Sequence, residues 1–243
     1  MRNYAELSDK LVDWIRRRVK EAGCEGTVVG LSGGIDSAVT AVLCKKAFPD
    51  NTLGVILPCY SDSEDAEDAK LVAKEFDIEY KVVDLDATFD TLMSVVEENQ
   101  ELKTKDQLAV ANIKPRLRMT TLYYYSASLN SLVVGTDNRS ELKVGYFTKH
   151  GDGGIDIAPL GNLVKTEVRE LAAYLGIPEK IIERPPTAGL WANQTDEEEL
   201  GITYEELDHY ILTGEADQEV KERIEELARK NAHKLGYPPV PEF

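Results

Sequence analysis

An eight-residue run of glycines, serines and one aspartate is the part of this sequence best suited to chemistry. It follows the apolar residues 27–29, precedes a second apolar stretch, and consists of Gly30, Leu31, Ser32, Gly33, Gly34, Ile35, Asp36 and Ser37. Glycines let backbone N–H groups converge, serines add hydroxyl donors, and a helix that starts here points its positive dipole end at the loop. The run therefore predicts a cradle for nucleotide phosphates. The alternative is an ordinary strand-to-helix turn that uses glycine only for its geometry.

Two other phosphate-binding motifs are absent from the sequence. There is no Gly-x-x-x-x-Gly-Lys-Ser/Thr loop, because residues 161–166 contain Lys-Thr but lack the second glycine. There is also no Gly-x-Gly-x-x-Gly fingerprint of dinucleotide-binding folds. The predicted phosphate site therefore belongs to neither of those classes.

A second polar cluster follows the apolar residues 131–134. Its sequence is Gly135-Thr136-Asp137-Asn138-Arg139-Ser140-Glu141. Together with the first loop it brings carboxylates from two strands to one sheet edge, an arrangement that can hold Mg²⁺ while nucleotide oxygens and water complete its octahedron. We therefore predict that Asp36 and Glu141 bind magnesium. Taken alone, Glu141 is more typical of a solvated helix cap.

The surrounding sequence predicts alternating strands and helices that would position both loops. Short apolar or β-branched runs predict strands at 27–31, 52–57, 80–85 and 131–135. Helical spacing predicts helices at 36–47, 63–76, 88–98, 106–129, 165–175 and 204–212, a leading helix around 7–18 and a closing helix around 220–235. The alternation predicts an α/β fold, a doubly wound parallel sheet flanked by helices, with ligands beyond the carboxyl ends of the strands. Residues 143–159 and 184–195 are predicted to be loops that order over bound substrates.

Composition indicates one domain with a small-molecule rather than a nucleic-acid partner. The chain has 243 residues, 42% hydrophobic and 30% charged, and no break in composition, so a single domain over 1–243 is expected. A formal net charge of −16 argues against binding to a polyanion. No apolar segment resembles a signal core or a membrane span, which predicts a cytoplasmic protein. The three cysteines form no C-x-x-C pair and are expected to be reduced thiols.

Five motifs together resemble the ammonia-dependent NAD synthetases, which are ATP pyrophosphatases with an adenine nucleotide alpha hydrolase-like fold. The motifs are Leu-Ser-Gly-Gly-Ile-Asp-Ser-Ala at 31–38, Asn-Ile-Lys-Pro-Arg-Leu-Arg-Met at 112–119, Gly-Thr-Asp-Asn-Arg-Ser-Glu at 135–141, Gly-Tyr-Phe-Thr-Lys-His-Gly-Asp-Gly-Gly-Ile-Asp-Ile-Ala-Pro-Leu at 145–160 and Pro-Pro-Thr-Ala-Gly-Leu-Trp at 185–191. The resemblance covers most of the chain. Family members that obtain ammonia from glutamine carry an extra amidase domain, for which 243 residues leave no room. The resemblance therefore implies free ammonia as the nitrogen donor.

The activity implied by the resemblance is amidation of nicotinic acid adenine dinucleotide, or deamido-NAD. Its carboxylate would attack the α-phosphorus of ATP and expel pyrophosphate, after which ammonia would displace AMP from the adenylate. No protein nucleophile is needed, so charge neutralisation and positioning would carry catalysis. The resemblance also implies a homodimer, with the helices at 106–129 as the candidate interface.

The resemblance further implies an ATP site at residues 30–37, Thr136, Lys165 and Thr187, and a magnesium site at Asp36 and Glu141. Asp36 and Lys165 are the predicted catalytic residues, because a cation beside the departing phosphates offsets their developing charge. The plain alternatives are a surface lysine in the first turn of a helix for Lys165 and a turn hydroxyl for Thr187.

For the dinucleotide, the resemblance implies five positions: Arg116, Lys149, Asp156, His233 and Lys234. Arg116 offers a planar fork for a carboxylate or pyrophosphate, and Arg118 is its rival, although it faces elsewhere on a regular helix. Lys149 could instead be a solvated loop lysine, and Asp156 a turn residue bonded to backbone. The last two residues could simply offset a helix dipole.

Two other functions remain open from the sequence. Another adenylating amidotransferase or a tRNA-modifying enzyme could share the first loop, although the latter class commonly needs reactive cysteines and a basic RNA surface. A nucleotide-binding sensor without catalysis is the second, and the presence of Asp36, Glu141 and Lys165 argues against it.

Overall fold

The structure is a computed structural model that describes residues 2–98, 106–187, 189 and 195–241. Within these residues, four parallel strands form one sheet. The strands are β1 (Gly26–Gly30), β2 (Thr52–Ile56), β3 (Glu79–Val82) and β4 (Ser131–Val134). Their order across the sheet is β3-β2-β1-β4, so the chain builds outward from β1 on one side and returns with β4 on the other. The doubly wound parallel sheet is confirmed. The strand order reverses between β1 and β4, which is where such sheets bind ligands.

Helices cover both faces of the sheet. In the described residues they are α1 (Tyr4–Glu21), α2 (Ile35–Ala47), α3 (Ser63–Glu75), α4 (Asp86–Glu98), α5 (Gln107–Ala111), α6 (Ile113–Ser128), α7 (Arg139–Val144), α8 (Lys165–Leu175), α9 (Glu179–Ile182), α10 (Asp196–Leu200), α11 (Tyr204–Thr213) and α12 (Gln218–Asn231), followed by a 3₁₀ turn (Ala232–Lys234). Side chains of Asn3, Asp62 and Thr203 cap α1, α3 and α11 by accepting from first-turn N–H groups.

Two apolar layers hold the helices on the sheet. On one face, α1, α2 and α8 pack around residues such as Ile15, Leu43 and Leu171, all of which are fully buried. On the other face, Val28 and Val55 pack against α6 through Leu122. Because α2 is buried along most of its length, the loop that precedes it is anchored at both ends.

The structure differs from the sequence predictions in several helical regions, among them the short helices α9 and α10, which were not predicted. The helix predicted at 106–129 is broken at Asn112 into α5 and α6. Helix α7 was not predicted, because six residues are too short to establish an apolar period. Its sequence signal is instead the capping pair Asn138 and Glu141.

The structure describes the whole of the first predicted loop and only part of the second. The first begins inside α7, and its residue Ile157 then bridges to Val134 at the edge of the sheet. In the second, residues 188 and 190–194 lie outside the described residues. Among the helices that the structure describes, none combines the length and the apolar character that a membrane crossing requires.

Candidate active site

The glycine-rich loop joins β1 to α2 and is folded on itself by its serines. Ser37 Oγ accepts from the backbone N–H of Ser32 at 3.2 Å and donates to the carbonyl of Gly34 at 2.9 Å. Gly33 has a φ of +85°, and a Cβ built on it would lie 2.4 Å from the backbone oxygen of Asp65. This turn therefore requires glycine both for its dihedral angle and for its close approach to α3.

Asn138 fastens the polar segment after β4 to the glycine-rich loop. Its side-chain oxygen accepts from the N–H groups of Ser140 and Glu141, both at 3.0 Å. Glu141 Oε2 accepts in return from the Asn138 N–H at 3.0 Å, which completes a capping box at the start of α7. The side-chain nitrogen of Asn138 donates to Asp36 Oδ1 at 2.9 Å. One asparagine thereby positions both predicted magnesium ligands.

Lys165 lies between the two carboxylates of the site. Its Nζ is 2.5 Å from Asp36 Oδ2 and 3.2 Å from Glu141 Oε1, and only 3% of its side chain is exposed. Its Nζ also lies 4.9 Å from the centre of the Tyr204 ring. The structure thus excludes the surface-lysine alternative and brings Asp36, Glu141 and Lys165 together as predicted.

The protonation of this cluster follows from burial and its opposite charges. Burial alone would lower the pKa of Lys165, but Asp36 and Glu141 outweigh it and raise that pKa above its ordinary value. Burial raises the pKa of Glu141 to about 7, with Asp36 adding to the effect and Lys165 opposing it. Lys165 is therefore a permanent cation, and Glu141 gains most from a further positive charge beside it.

The residues present fit a magnesium ion that is shared with a nucleotide. The described part of the chain contains no group of three acidic, histidine or cysteine side chains that could hold a metal alone. Asp36 and Glu141 supply two carboxylates at one point, and the raised pKa of Glu141 shows that this point favours added positive charge. Mg²⁺ bound by one or two carboxylates takes its other ligands from phosphates and water.

A cavity of about 680 Å³ opens at the carboxyl ends of β1, β2 and β4. Every predicted site residue lines it except Gly33 and Asp156. Its size is typical of sites that enclose small organic ligands. The fold therefore gathers nearly all the predicted residues around one space at the reversal of strand order.

The predicted dinucleotide residues at the rim bond to one another through backbone carbonyls. Arg116 donates from Nε and Nη2 to the carbonyl of Lys149, at 3.3 Å each. Lys149 Nζ donates to the carbonyl of His233 at 2.8 Å. Lys234 Nζ donates to the carbonyls of Gly145 and Phe147 at 2.8 and 2.9 Å. These contacts tie α6, the loop after α7 and the end of α12 into one wall that carries several cations.

Arg118, which the sequence offered only as an alternative to Arg116, is more deeply buried than Arg116. It donates to the carbonyl of Leu57 and to Ser61 Oγ, both at 3.0 Å, and lines the cavity just past β2. Burial lowers its pKa. Its hydrogen bonds go to neutral oxygens, while the charges of Asp152 and Asp65 act on it from further away, so it brings a buried cation to the cavity.

Asp156 is placed outside the cavity. Its Oδ1 accepts from the hydroxyl of Tyr123 at 3.0 Å, and its Oδ2 accepts from the N–H of Val133 at 2.8 Å. The Asp156 carboxylate thus accepts the hydrogen bond that a neighbouring strand would otherwise accept from β4. This contact agrees with the alternative that Asp156 is a residue bonded to backbone. A ligand role for Asp156 stays a prediction.

Thr187 is exposed at the cavity, beyond a segment that is held to α3. Its Oγ1 accepts from the N–H of Gly189 at 3.1 Å. Arg184 forms ion pairs with Asp65 and Asp68, and the bond to Asp68 measures 3.2 Å. The segment that carries Thr187 is therefore anchored to the same end of α3 that contacts Gly33.

Three polar residues of the site were not predicted from the sequence. Asp137 lines the cavity and is 6% exposed. Tyr204 is fully buried and donates to Asp196 Oδ2 at 3.0 Å. The sequence signal for Asp137 was its position in the cluster after β4, whereas Tyr204 and Asp196 reach the site from segments with no motif of their own.

Comparison with known proteins points to one family. A family model described as NAD synthase matches residues 7–238. A curated NH(3)-dependent NAD(+) synthetase from Carboxydothermus hydrogenoformans is 54% identical over 239 residues, which cover 98% of each chain. Another with the same description, from Methanocaldococcus jannaschii, is 44% identical over 255 residues, covering 98% of this chain and 97% of its own.

Solved structures agree over the whole length of the chain. An NMN synthetase from Francisella tularensis superposes with a TM-score of 0.94 at 37% identity, with both chains fully covered. An NH3-dependent NAD synthetase from Campylobacter jejuni superposes with a TM-score of 0.81 at 33% identity, again with full coverage of both. A glutamine-dependent NAD+ synthetase from Acinetobacter baumannii, 27% identical with a TM-score of 0.72, is covered over only 48% of its own length.

Proposed function

The chain belongs to the NAD synthase family, and from this membership we propose that it is a ligase that joins ammonia to deamido-NAD, with ATP converted to AMP and pyrophosphate. Relatives described as NH(3)-dependent NAD(+) synthetases match almost the whole chain, which supports free ammonia as the donor. The observation that carries the proposal is Lys165, held between Asp36 and Glu141 beside the glycine-rich loop. That arrangement suits the departure of a pyrophosphate anion.

In the first step, the nicotinate carboxylate attacks the α-phosphorus and pyrophosphate leaves. Backbone N–H groups of the glycine-rich loop and the first turn of α2 bind the phosphates. Lys165 offsets the charge that develops on the leaving oxygen, and Asp36 and Glu141 orient its ammonium group. Magnesium, held by Asp36 and Glu141, would neutralise phosphate charge so that two anions can approach.

In the second step, ammonia attacks the carbonyl carbon of the adenylate and AMP leaves. The cations on the cavity wall, Arg116, Lys149 and Lys234, are proposed to bind the phosphates and carboxylate of the dinucleotide. Their placement around one cavity with the glycine-rich loop supports this assignment. Thr136 and Thr187 are proposed to complete the ATP site from opposite sides of that cavity.

The activity is tested by supplying ATP, magnesium, ammonium and deamido-NAD and measuring NAD, AMP and pyrophosphate. We expect NAD and AMP to form in equal amounts, and glutamine to replace ammonium poorly. Accumulation of ADP instead of AMP would contradict the proposal.

The TM-score of 0.94 to an NMN synthetase favours a second candidate substrate, nicotinic acid mononucleotide. A parallel reaction with that mononucleotide, compared by kcat/KM, decides which nucleotide the cavity prefers.

Arg118 is proposed to bind a phosphate of ATP, because it lies beside the end of β2 next to the glycine-rich loop. We expect Arg118→Lys to raise the KM for ATP about tenfold, since lysine cannot keep both fixed bonds and still reach an anion. Arg116→Lys is the matched control at the exposed rim, and its main effect should fall on the KM for deamido-NAD. Equal effects of the two variants on both substrates would contradict the division of roles.

We also propose that the chain forms a homodimer through α4 and α6. Helix α4 buries none of its side chains within one chain. Tyr124 of α6 and Leu129, the residue that follows this helix, are 68% and 50% exposed, and Leu92 of α4 is also exposed. An apolar surface of this kind supports an interface between copies. Sedimentation analysis of Leu129→Glu beside the native chain tests it, with a shift to monomer as the expected result.

A further inference from the structure

Asp137 presents a buried carboxylate to the cavity with one oxygen that lacks a partner. No described residue donates a hydrogen bond to its Oδ2. Burial of a carboxylate without donors or a cation is strongly unfavourable. Native chains retain such a group where a ligand supplies what is missing.

The charged groups that act on Asp137 are carboxylates from three segments. Asp152 acts most strongly, followed by Glu141 and Asp36. Burial, together with these charges, raises the pKa of Asp137 well above its ordinary value. Lys165 is engaged by Asp36 and Glu141. The local field at Asp137 therefore favours the arrival of a cation.

Asp137 lies at the same level of the sheet edge as Ser32 of the glycine-rich loop. Val29 of β1 pairs with Val134 of β4, and Ser32 and Asp137 each follow three residues later. The cavity wall next to Asp137 is tightly closed, because a Cβ on Gly135 would lie 2.2 Å from Ile155 Cδ1. A small ion held at Asp137 would therefore be enclosed next to the reacting carbonyl carbon.

Two cations enter the proposed reaction, magnesium and ammonium. Magnesium prefers several anionic oxygens, and the carboxylates that share a point with Lys165 already provide its place. Ammonium carries a single charge and four N–H donors, so one carboxylate edge suffices to hold and orient it. Asp137, whose Oδ2 has no donor among the described residues, matches the second ion better than the first.

We propose that Asp137 binds the ammonium ion that supplies the amide nitrogen. The inference rests on the proposed function and adds the binding position of its second substrate. There, ammonium passes one proton to the Asp137 carboxylate and its lone pair attacks the carbonyl carbon of the adenylate. The new C–N bond forms, the bond from carbon to the AMP oxygen breaks, and a second proton leaves the nitrogen for the phosphate of departing AMP.

The test separates adenylation, which needs no ammonium, from amidation. Adenylation is followed as exchange of labelled pyrophosphate into ATP with deamido-NAD, and amidation as NAD formation over a series of ammonium chloride concentrations. For Asp137→Asn we expect exchange within about twofold of the native chain, but a KM for ammonium that is higher by about tenfold or more. Asp50→Asn, an exposed residue with the same change of charge, should alter neither.

Three outcomes would overturn the inference. An unchanged KM for ammonium in Asp137→Asn, while the native chain forms NAD, overturns it and leaves the proposed function standing. Loss of exchange with a raised KM for ATP or magnesium would make Asp137 part of the nucleotide site instead. A native chain that forms no NAD overturns both the inference and the proposed function.

Asp137→Asn should not unfold the chain. Because one oxygen of the native carboxylate is buried without a hydrogen-bond donor among the described residues, replacement of the carboxylate is expected to leave the thermal midpoint of the ligand-free protein equal or higher. Asp137→Ser serves as a second variant, with the same expected rise in the KM for ammonium. If both variants melt at the native temperature and keep the native KM, no role for this side chain toward ammonium remains.

Discussion

Lys165→Met is expected to slow formation of the adenylate by about a thousandfold, because it removes the preorganised cation that is proposed to stabilise the departing pyrophosphate. The methionine keeps most of the length of the lysine but no charge. Exchange of pyrophosphate into ATP in the presence of deamido-NAD measures this step directly. Lys10→Met is the matched control, because Lys10 pairs with Glu6 on the open surface of α1. A variant that retained near-native exchange would contradict the role of Lys165.

The same variant also changes how stability depends on pH. Without Lys165, the pKa of Glu141 rises further in the folded state, because Lys165 no longer opposes the effects of burial and of the Asp36 charge. A folded state that binds more protons than the unfolded state loses stability as pH rises through the window between the two pKa values. Removal of one member of a buried ion pair costs about 3–5 kcal/mol. Thermal unfolding should therefore show a deficit that grows from acidic to neutral pH.

Gly33→Ala is expected to lower kcat/KM for ATP by about a hundredfold, the scale associated with displacement of a catalytic element by about 1 Å. The added Cβ would meet the backbone oxygen of Asp65 at 2.4 Å, and neither backbone can give way without moving the loop or α3. ATP titration of the initial rate measures the effect.

Gly176→Ala separates the two effects expected of Gly33→Ala, which are the strain of a positive φ and the clash with α3. Gly176 ends α8 with a φ of +78°, and a Cβ there would meet nothing within 4 Å. Both variants should lose roughly 1 kcal/mol of stability from the positive φ, whereas only Gly33→Ala should lose ATP-dependent activity. Equal activity losses in the two variants would show that strain alone, and not the contact with α3, disturbs the loop.

The parts of the fold that are local in sequence were predictable. The glycine-rich loop, the first helix after it and the strand preceding it are one continuous unit, whose pattern of apolar and small residues is complete within about twenty positions. The parallel order of the sheet followed from alternation alone. Carboxylates at the ends of β1 and β4 were expected to meet, and Asp36 and Glu141 do so through Lys165 and Asn138.

What could not be predicted depends on contacts between distant segments. The side-chain hydrogen bond from Asn138 to Asp36 joins residues 102 positions apart, and no periodic pattern in the sequence predicts it. How deeply Arg116 and Arg118 each reach into the cavity depends on how α6 is rotated against the sheet, which the spacing within one helix does not fix. The bond that Asp156 accepts from the buried N–H of Val133 was also not predictable, because it depends on how the loop returns to the edge of β4 and leaves the ligand role of Asp156 untested.

The long sequence separations within the site have a consequence for synthesis of the chain. Lys165 reaches Asp36 across 129 positions, and the cavity wall also needs the last turn before Lys234. A nascent chain that has emerged only as far as β4 therefore contains Asp36 but not Lys165, the cation that pairs with it. The sheet of such a chain also lacks α8, which covers part of one of its faces. If the adenylate forms as proposed, it can form only after nearly all of the chain has left the ribosome, and we expect a prematurely terminated product to be inert toward ATP.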